Sequence, residues 1–325
     1  MNICFIDKTN FNYDANSLYS KNLRGAESVI INLSNALSLL GNNVTVINNC
    51  LKTKIINGVK WIDIKSIKEI SEYDLVISNG DCRLFKYAKS KKNVLFSHSL
   101  QSIEKFIRKK QLIPYLKYKP KVCFLSNYHK KNRSKLLHLF GEIHLKWAVD
   151  KIFIDSTISE NINKQTAVFT SRPDRNLKML IDIWTKFVIP NNNKVKLLVT
   201  ENNFEYVDKS IISRELGDQR DLINDLQSAR MVIIPGHKAE LYCLAAEEAR
   251  ELCIPIVTMG IGCLSERVVH QKTGFIAKNE HDFANYILKL FTDDKLWNSL
   301  RENLIKKRKI NTWEIVAKAL IRQVS

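Results

Sequence analysis

The stretch 235-PGHKAELYCLAAEEARELCIPIVTMGIG-262 places two glutamates, Glu240 and Glu248, between two apolar runs. It reads as the end of a strand, then a tight turn carrying Glu240. A helix opening near Leu241 carries Glu248 about two turns in, and the strand Ile254–Met259 follows. Such a unit sets two hydrogen-bond acceptors beside a helix N-terminus, where free backbone N–H groups and the positive end of the helix dipole favour an anion. The ligand it suits carries both hydroxyls and phosphate.

Working outward, the same alternation runs through the chain. Asn2–Asp7 is a first strand, followed by a loop to about Arg24. Val29, Ile30, Leu33, Ala36, Leu37 and Leu40 then form one helical stripe that stops at Gly41. Val44–Ile47, Asp74–Asn79, Val94–His98 and Val122–Ser126 are short apolar runs of buried-strand type. After the polar stretch Asp155–Gln165 a second series begins, with strands Ala167–Thr170, Val195–Thr200, Met231–Pro235 and Ile254–Met259. Its helices fall around Leu177–Phe187, Leu222–Ala229 and Leu241–Leu252, and Phe283, Tyr286, Ile287, Leu290 and Phe291 give a later helix its buried face. The fold class is therefore α/β, two Rossmann-like domains with parallel sheets covered by helices. The expected division is 1–155, 156–308 and a final helix, 309–325, that crosses back to the first domain with Trp313 as its anchor.

A chain of 325 residues and 37.6 kDa is long for one core and suits two domains. No run of eighteen apolar residues occurs, and Met1–Asp7 enters a strand directly, so a cytoplasmic protein is expected. The seven cysteines are scattered, without a C-x-x-C pair or zinc spacing, and read as reduced core thiols; no metal or cofactor site is expected. The net charge of +18 is uneven. Residues 1–151 hold 26 Lys and Arg against 11 Asp and Glu, and Arg83–Lys146 alone hold 17 basic residues against two acidic ones. Within that strip, Lys105, Arg108, Lys109, Lys110, Lys117 and Lys119 interleave with Phe106, Ile107, Leu112, Ile113, Tyr115, Leu116 and Tyr118. That mixture suits an anionic membrane surface or a phosphorylated, lipid-linked acceptor. Nucleic-acid binding rests on charge alone, without a recognisable motif, and a plain lysine-rich surface is the third reading.

In order along the chain, LRGAESVIINLSNALSLLGNNVTVI, FTSRPDRNLKMLIDIW, LGDQRDLINDLQSARMVIIPG, Glu240–Val257 and GCLSERVVHQKTGFIA resemble the signature blocks of family-4 retaining glycosyltransferases. The resemblance implies the GT-B fold, two Rossmann-like domains facing across a cleft, and a nucleotide-diphosphate sugar of the UDP or GDP type as donor substrate. It implies that Glu248 accepts from the ribose hydroxyls, or Glu247 if the register is one residue off. Glu240 would hold hydroxyls of the transferred sugar and stabilise charge at the reacting carbon. Arg172 and Arg175 would sit on the diphosphate, where the family usually has Arg and Lys. Arg24 and Gly25 stand where the family has Gly-Gly approaching the donor phosphates. Leu241, Tyr242 and Cys243 line the donor turn, Leu241 and Cys243 standing where relatives often carry glycine, and Gly260 and Gly262 bring the next loop close to it. His98 would face the reacting sugar.

The chain contains no Asp-x-Asp pair, the usual diphosphate-bridging metal motif of the other common glycosyltransferase fold. The resemblance implies metal-independent front-face substitution, delivering the sugar to a glycan or lipid-linked acceptor in surface polysaccharide or glycolipid synthesis. A nucleotide-sugar epimerase of the same fold, or a non-catalytic basic protein that binds membrane or nucleic acid, are the alternatives.

Overall fold

The computed structural model describes residues 1–20, 23, 25–160, 163–200, 205–215 and 217–325. It divides into one unit of Met1–Ala148 with Thr312–Ser325 and a second of Val149–Asn311. The first junction precedes the sequence-based boundary at 155/156, so the short helix at 151–155 goes with the second unit.

In the first unit the strands are β1 (Asn2–Ile6), β2 (Asn43–Asn48), β3 (Lys54–Ile56), β4 (Val59–Asp63), β5 (Leu75–Asn79), β6 (Lys92–Phe96), β7 (Lys121–Phe124) and β8 (Glu142–His144). They form one sheet in the order β3-β4-β2-β1-β5-β6-β7-β8. All pairings are parallel except β3 with β4, an antiparallel hairpin at the edge that the reading of a wholly parallel sheet did not include. The helices are α1 (Gly25–Leu39), α2 (Ile103–Arg108), α3 (Leu112–Tyr118) and α4 (Asn127–Asn132). The stripe of α1 buries Val29, Ile30, Leu33, Ala36 and Leu37, while Leu40 lies just past its end.

The second unit opens with α5 (Lys151–Asp155) and has strands β9 (Asn163–Phe169), β10 (Lys196–Val199), β11 (Ile211–Ser213), β12 (Ala229–Gly236), β13 (Ile256–Ile261) and β14 (Gly274–Ile276). Their order is β11-β10-β9-β12-β13-β14, all parallel. Helices α6 (Leu177–Ile183), α7 (Gln219–Ser228), α8 (Leu244–Glu251), α9 (Glu280–Thr292) and α10 (Asp294–Ile305) pack around it. Trp184, Phe283, Ile287, Leu290, Trp297 and Leu300 fill one face with Ala167, Leu197 and Ile233 from the strands. All eight residues of β12 are buried, which is why that run reads as apolar without alternation.

The last helix, α11 (Trp313–Val324), belongs to the first unit and packs on α1. Its stripe of Trp313, Val316, Ala317 and Leu320 is buried, and the Trp313 ring stacks on Trp147 with centroids 6.0 Å apart. All seven cysteines are buried free thiols.

Both sheets reverse direction at their middle. In the second, the chain leaves β9 for β10 and β11, then returns to the other side of β9 as β12. In the first, it leaves β1 for β2, β3 and β4, then returns beside β1 as β5. The loops at the carboxyl ends of two such strands diverge, and the crevice between them is where ligands bind in open α/β sheets. Arg172 and Arg175 follow β9, while Glu240 follows β12.

Candidate functional site

At the switch point of the second sheet the loops after β9 and β12 are joined by a partly buried ion pair. Arg175 Nε donates to Glu240 Oε1 at 2.9 Å, with the side chains only 16% and 14% exposed. The same guanidinium places Nη1 3.1 Å from His237 Nδ1, a nitrogen that also accepts from the Ala239 N–H. One residue after the arginine, the Asn176 amide donates to the Gly236 carbonyl at 2.5 Å. Each loop thus holds the other.

A third segment closes on them from β13. Gly262 has a φ of 76°, and a Cβ there would come within 2.5 Å of the His237 carbonyl oxygen and 2.8 Å of that of Glu240. Only glycine fits so close an approach. The Cys263 N–H donates to the Glu240 carbonyl at 3.0 Å, which pins the backbone under the carboxylate. Gly262 therefore brings its loop against the Glu240 turn as a structural support, whereas Gly260 packs against Ile276 of β14.

The two arginines separate. Arg172, with its side chain 57% exposed, pairs with Asp174 at 2.9 Å, whereas Arg175 makes the pair with Glu240. The resemblance gave both of them the diphosphate role.

The helix carrying the second glutamate begins later than the sequence suggests. Leu241, Tyr242 and Cys243 are buried loop residues, and α8 opens at Leu244 behind Cys243, whose φ of 62° lies in the left-handed region. The apolar side chains that look like a helical stripe instead pack the turn. Glu248 is consequently one helical turn from the N-terminus, half-buried, and Glu247 lies in the first turn.

Neighbouring glutamates have different surroundings. Glu247 is buried and bridges Arg250 at 2.6 Å and Arg267 at 3.2 Å. Arg267 lies 4.1 Å over the Tyr242 ring. Burial opposes its charge, but Glu247, then Tyr242 and Cys263, outweigh that and raise its pKa above the ordinary value. The phenol of Tyr242 is pushed up, first by burial and then by Glu247. Glu247 thus anchors α8 to the segment after β13.

Cys243 gives a local test. A β-branched side chain in the left-handed region is strained, so Cys243→Val should lower unfolding stability by about 2 kcal/mol. Cys243→Gly, which relieves the strain while losing a buried thiol, should stay within about 1 kcal/mol of the wild type. Equal losses in denaturant unfolding would show that the turn conformation does not matter.

In the first unit, Gly25 is the first residue of α1 and not part of a turn before it; Arg24 lies outside the described residues. His98 stands two residues beyond the end of β6 instead of ending the strand. Its Nε2 hydrogen-bonds Asn79 Oδ1 at the end of β5, and burial lowers its pKa to about 4. Beside it, Asp7 follows β1, buried, and accepts from the Tyr13 hydroxyl at 2.6 Å and the Lys8 N–H at 2.9 Å. Asp7, Tyr13 and Asn79 escaped the sequence reading; Asp7 and Asn79 on their own are ordinary strand-end residues, and Tyr13 an ordinary loop residue. The signal was positional: β1, β5 and β6 end at the switch point.

The basic strip folds as α2 and α3. Phe106 and Tyr115 turn into the core, edge to face at 5.5 Å, and leave Ile107, Ile113 and Leu116 exposed among Arg108, Lys109, Lys110, Lys117 and Lys119. Lys105 is half-buried. Among the described residues, no three His, Cys, Asp or Glu side chains gather as a metal site requires, and no helix is long and apolar enough to cross a membrane.

Two parallel α/β units with a crossover helix at the C-terminus make up the GT-B fold, which solved glycosyltransferases share over the full length of the chain. Residues 149–309, almost the whole second unit, match the family described as glycosyl transferases group 1. Sucrose-phosphate synthase from Thermosynechococcus elongatus is 14% identical with a TM-score of 0.73, over 99% of this chain and 98% of that one. WaaG, a glycosyltransferase involved in lipopolysaccharide biosynthesis, is 12% identical with a TM-score of 0.70, over 99% of both. HepE of Anabaena, solved in complex with UDP-glucose, is 14% identical with a TM-score of 0.69, over 99% of both. No curated protein matches the chain in sequence.

Proposed function

We propose that this chain is a retaining glycosyltransferase of family 4, moving a hexose-type sugar from a UDP or GDP sugar to a glycan or lipid-linked acceptor of surface polysaccharide, lipopolysaccharide or glycolipid synthesis. The observation that carries the reading is the Arg175–Glu240 pair across the switch point of the matched unit, with α8 and Glu248 directly behind it. Arg175, assisted by Arg172 and the N-terminal N–H groups of α8, takes the diphosphate. Glu248 accepts from the ribose hydroxyls, and the turn Leu241–Cys243 lines the donor.

In the reaction the bond between the anomeric carbon and the diphosphate oxygen breaks, with the electron pair leaving on the diphosphate. The acceptor oxygen bonds the same face of that carbon, and its proton passes to the departing phosphate oxygen, so configuration is retained. Positive charge on the sugar is stabilised by Glu240, negative charge on the leaving group by the arginines and the helix dipole, without a metal or cofactor. The enzyme works in the cytoplasm, peripheral to the inner membrane face.

A thermal-shift panel of UDP, GDP, ADP, CMP and TDP tests the donor site. One diphosphate at 100 times its Kd should stabilise the fold by about 2.7 kcal/mol, a shift of a few degrees. No shift with any of them would remove the donor site from this protein. Product analysis then separates transfer from epimerisation, because an epimerase turns over without an acceptor. Retention is read from the anomeric configuration of the isolated product.

The membrane reading rests on the exposed Ile107, Ile113 and Leu116 among five exposed cations. Flotation with vesicles containing anionic phosphatidylserine should recover the protein at low salt and lose it at high salt. Replacing Arg108, Lys109, Lys110, Lys117 and Lys119 by Glu should abolish recovery with the nucleotide-induced shift unchanged. Recovery by neutral vesicles alone, or by the fully reversed variant, would refute an anionic surface as the partner.

A further inference from the structure

The strand ends at the switch point of the first sheet form a chain of polar contacts that fixes a proton. Asp7, after β1, accepts from three donors: the Tyr13 hydroxyl, the Lys8 N–H and the Asn79 side-chain amide. Burial raises the Asp7 pKa, while those three hydrogen bonds act in the opposite direction. Because the Asn79 amide donates to Asp7, its NH2 turns toward Asp7 and its Oδ1 the other way. That Oδ1 meets His98 Nε2, and an amide oxygen can only accept. His98 Nε2 must therefore carry the hydrogen. Its Nδ1, which has no partner among the described residues, is left as a bare lone pair on a ring that burial keeps neutral.

We propose that Asn79 is a positioning residue which, with its amide oriented by Asp7, locks His98 in the Nε2–H tautomer so that Nδ1 accepts a hydrogen bond from a substrate hydroxyl. The inference rests on the transferase reading for the substrate, not for the tautomer. It also narrows what His98 can touch. A bare Nδ1 accepts from a sugar or acceptor hydroxyl but repels the unprotonated oxygens of a diphosphate, so His98 belongs to the sugar side of the reaction. Asn79 from β5, with Asp7 behind it, contacts the ring, and His129 from α4, whose own pKa is held down to about 3 by burial and then by Arg133, interacts with it electrostatically. None of these supplies a negative charge in direct contact with His98.

The test is the imidazole nitrogen spectrum of uniformly labelled full-length protein, with the His98 signals identified among the seven histidines by their loss in His98→Gln. At neutral pH the wild type should show His98 as Nε2–H. In Asn79→Leu that preference should disappear, and in Asp7→Asn, where the amide is free to rotate, it should weaken. Asn79→Asp, close in shape to the wild type, sets a carboxylate against the ring and should raise the His98 pKa by about 1–3 pH units. The acidic limb of the transfer rate should move by the same amount. An Nδ1–H signal in the wild type, or an unchanged tautomer in both Asn79→Leu and Asp7→Asn, overturns the proposal. A tautomer that follows Asn79 while His98→Gln retains full turnover would support the positioning contact and sink the sugar-side role of His98.

Discussion

Glu240→Gln is expected to lower turnover at least a hundredfold while nucleoside diphosphate affinity stays the same or rises. Gln keeps an oxygen that can accept from Arg175 Nε, so the two loops remain joined and the fold should hold. What disappears is one negative charge, which in the proposed transfer lies beside the reacting sugar. As the anomeric carbon becomes cationic in the transition state, that loss costs about 2.7 kcal/mol or more, a hundredfold in rate. The diphosphate feels the opposite effect. Glu240 neutralises Arg175 and repels an incoming anion, so its removal leaves the guanidinium more available. Arg175→Ala has a different signature, in which diphosphate affinity and turnover fall together. Measuring kcat alongside the Kd of UDP or GDP separates them. If Glu240→Gln retained turnover, or lost affinity in step with it, the carboxylate would be a binding group or a structural one.

The order of elements was legible because most strands are buried on both faces and announce themselves as short apolar runs. The exceptions were β3, β4, β8, β11 and β14, each five residues or fewer, with partly exposed positions that blur the apolar run. A hairpin such as β3–β4 at a sheet edge needs little burial, so its residues look like loop. The start of α8 was misplaced for a related reason: Leu241, Tyr242 and Cys243 are buried as a helical stripe would be, but the left-handed backbone at Cys243 stops the helix from including them. Single-sequence periodicity reports burial, and burial does not distinguish a packed turn from a first helical turn.

Contacts between distant residues were less legible than the residues themselves. Glu240, Arg175 and His98 were each read as site candidates, yet the 2.9 Å pairing of Arg175 with Glu240 depends on β12 returning beside β9 after two intervening strands. The Asp7–Asn79–His98 chain likewise exists only because β5 inserts between β1 and β6. Strand order is a property of the whole sheet. A residue pair that spans a switch point carries no local sequence signal, and the resemblance supplied the roles without the geometry.

The register of α8 can be settled by comparing its adjacent glutamates, and here the largest stability effect is expected. Glu247→Ala removes the carboxylate between Arg267, whose side chain is 7% exposed, and Arg250. Arg250 keeps Glu251 within 3.6 Å, whereas Arg267 loses the Glu247 carboxylate and keeps the Cys263 side chain and the face of Tyr242. Leaving a buried guanidinium in that state costs about 3–5 kcal/mol, enough to lower Tm by roughly 6–20 °C for a unit of this size. Glu248→Ala touches a half-buried position on the same helix and should leave Tm within a few degrees of the wild type. Its effect should be on ligand binding: the stabilisation by UDP or GDP should vanish if its carboxylate holds the ribose hydroxyls. Glu247→Gln, which keeps the shape and one acceptor oxygen, checks that the loss comes from charge. Should Glu248→Ala destabilise the free protein as strongly as Glu247→Ala, both glutamates would be structural, and the ribose contact would have to be sought elsewhere in the turn between Gly236 and Leu244.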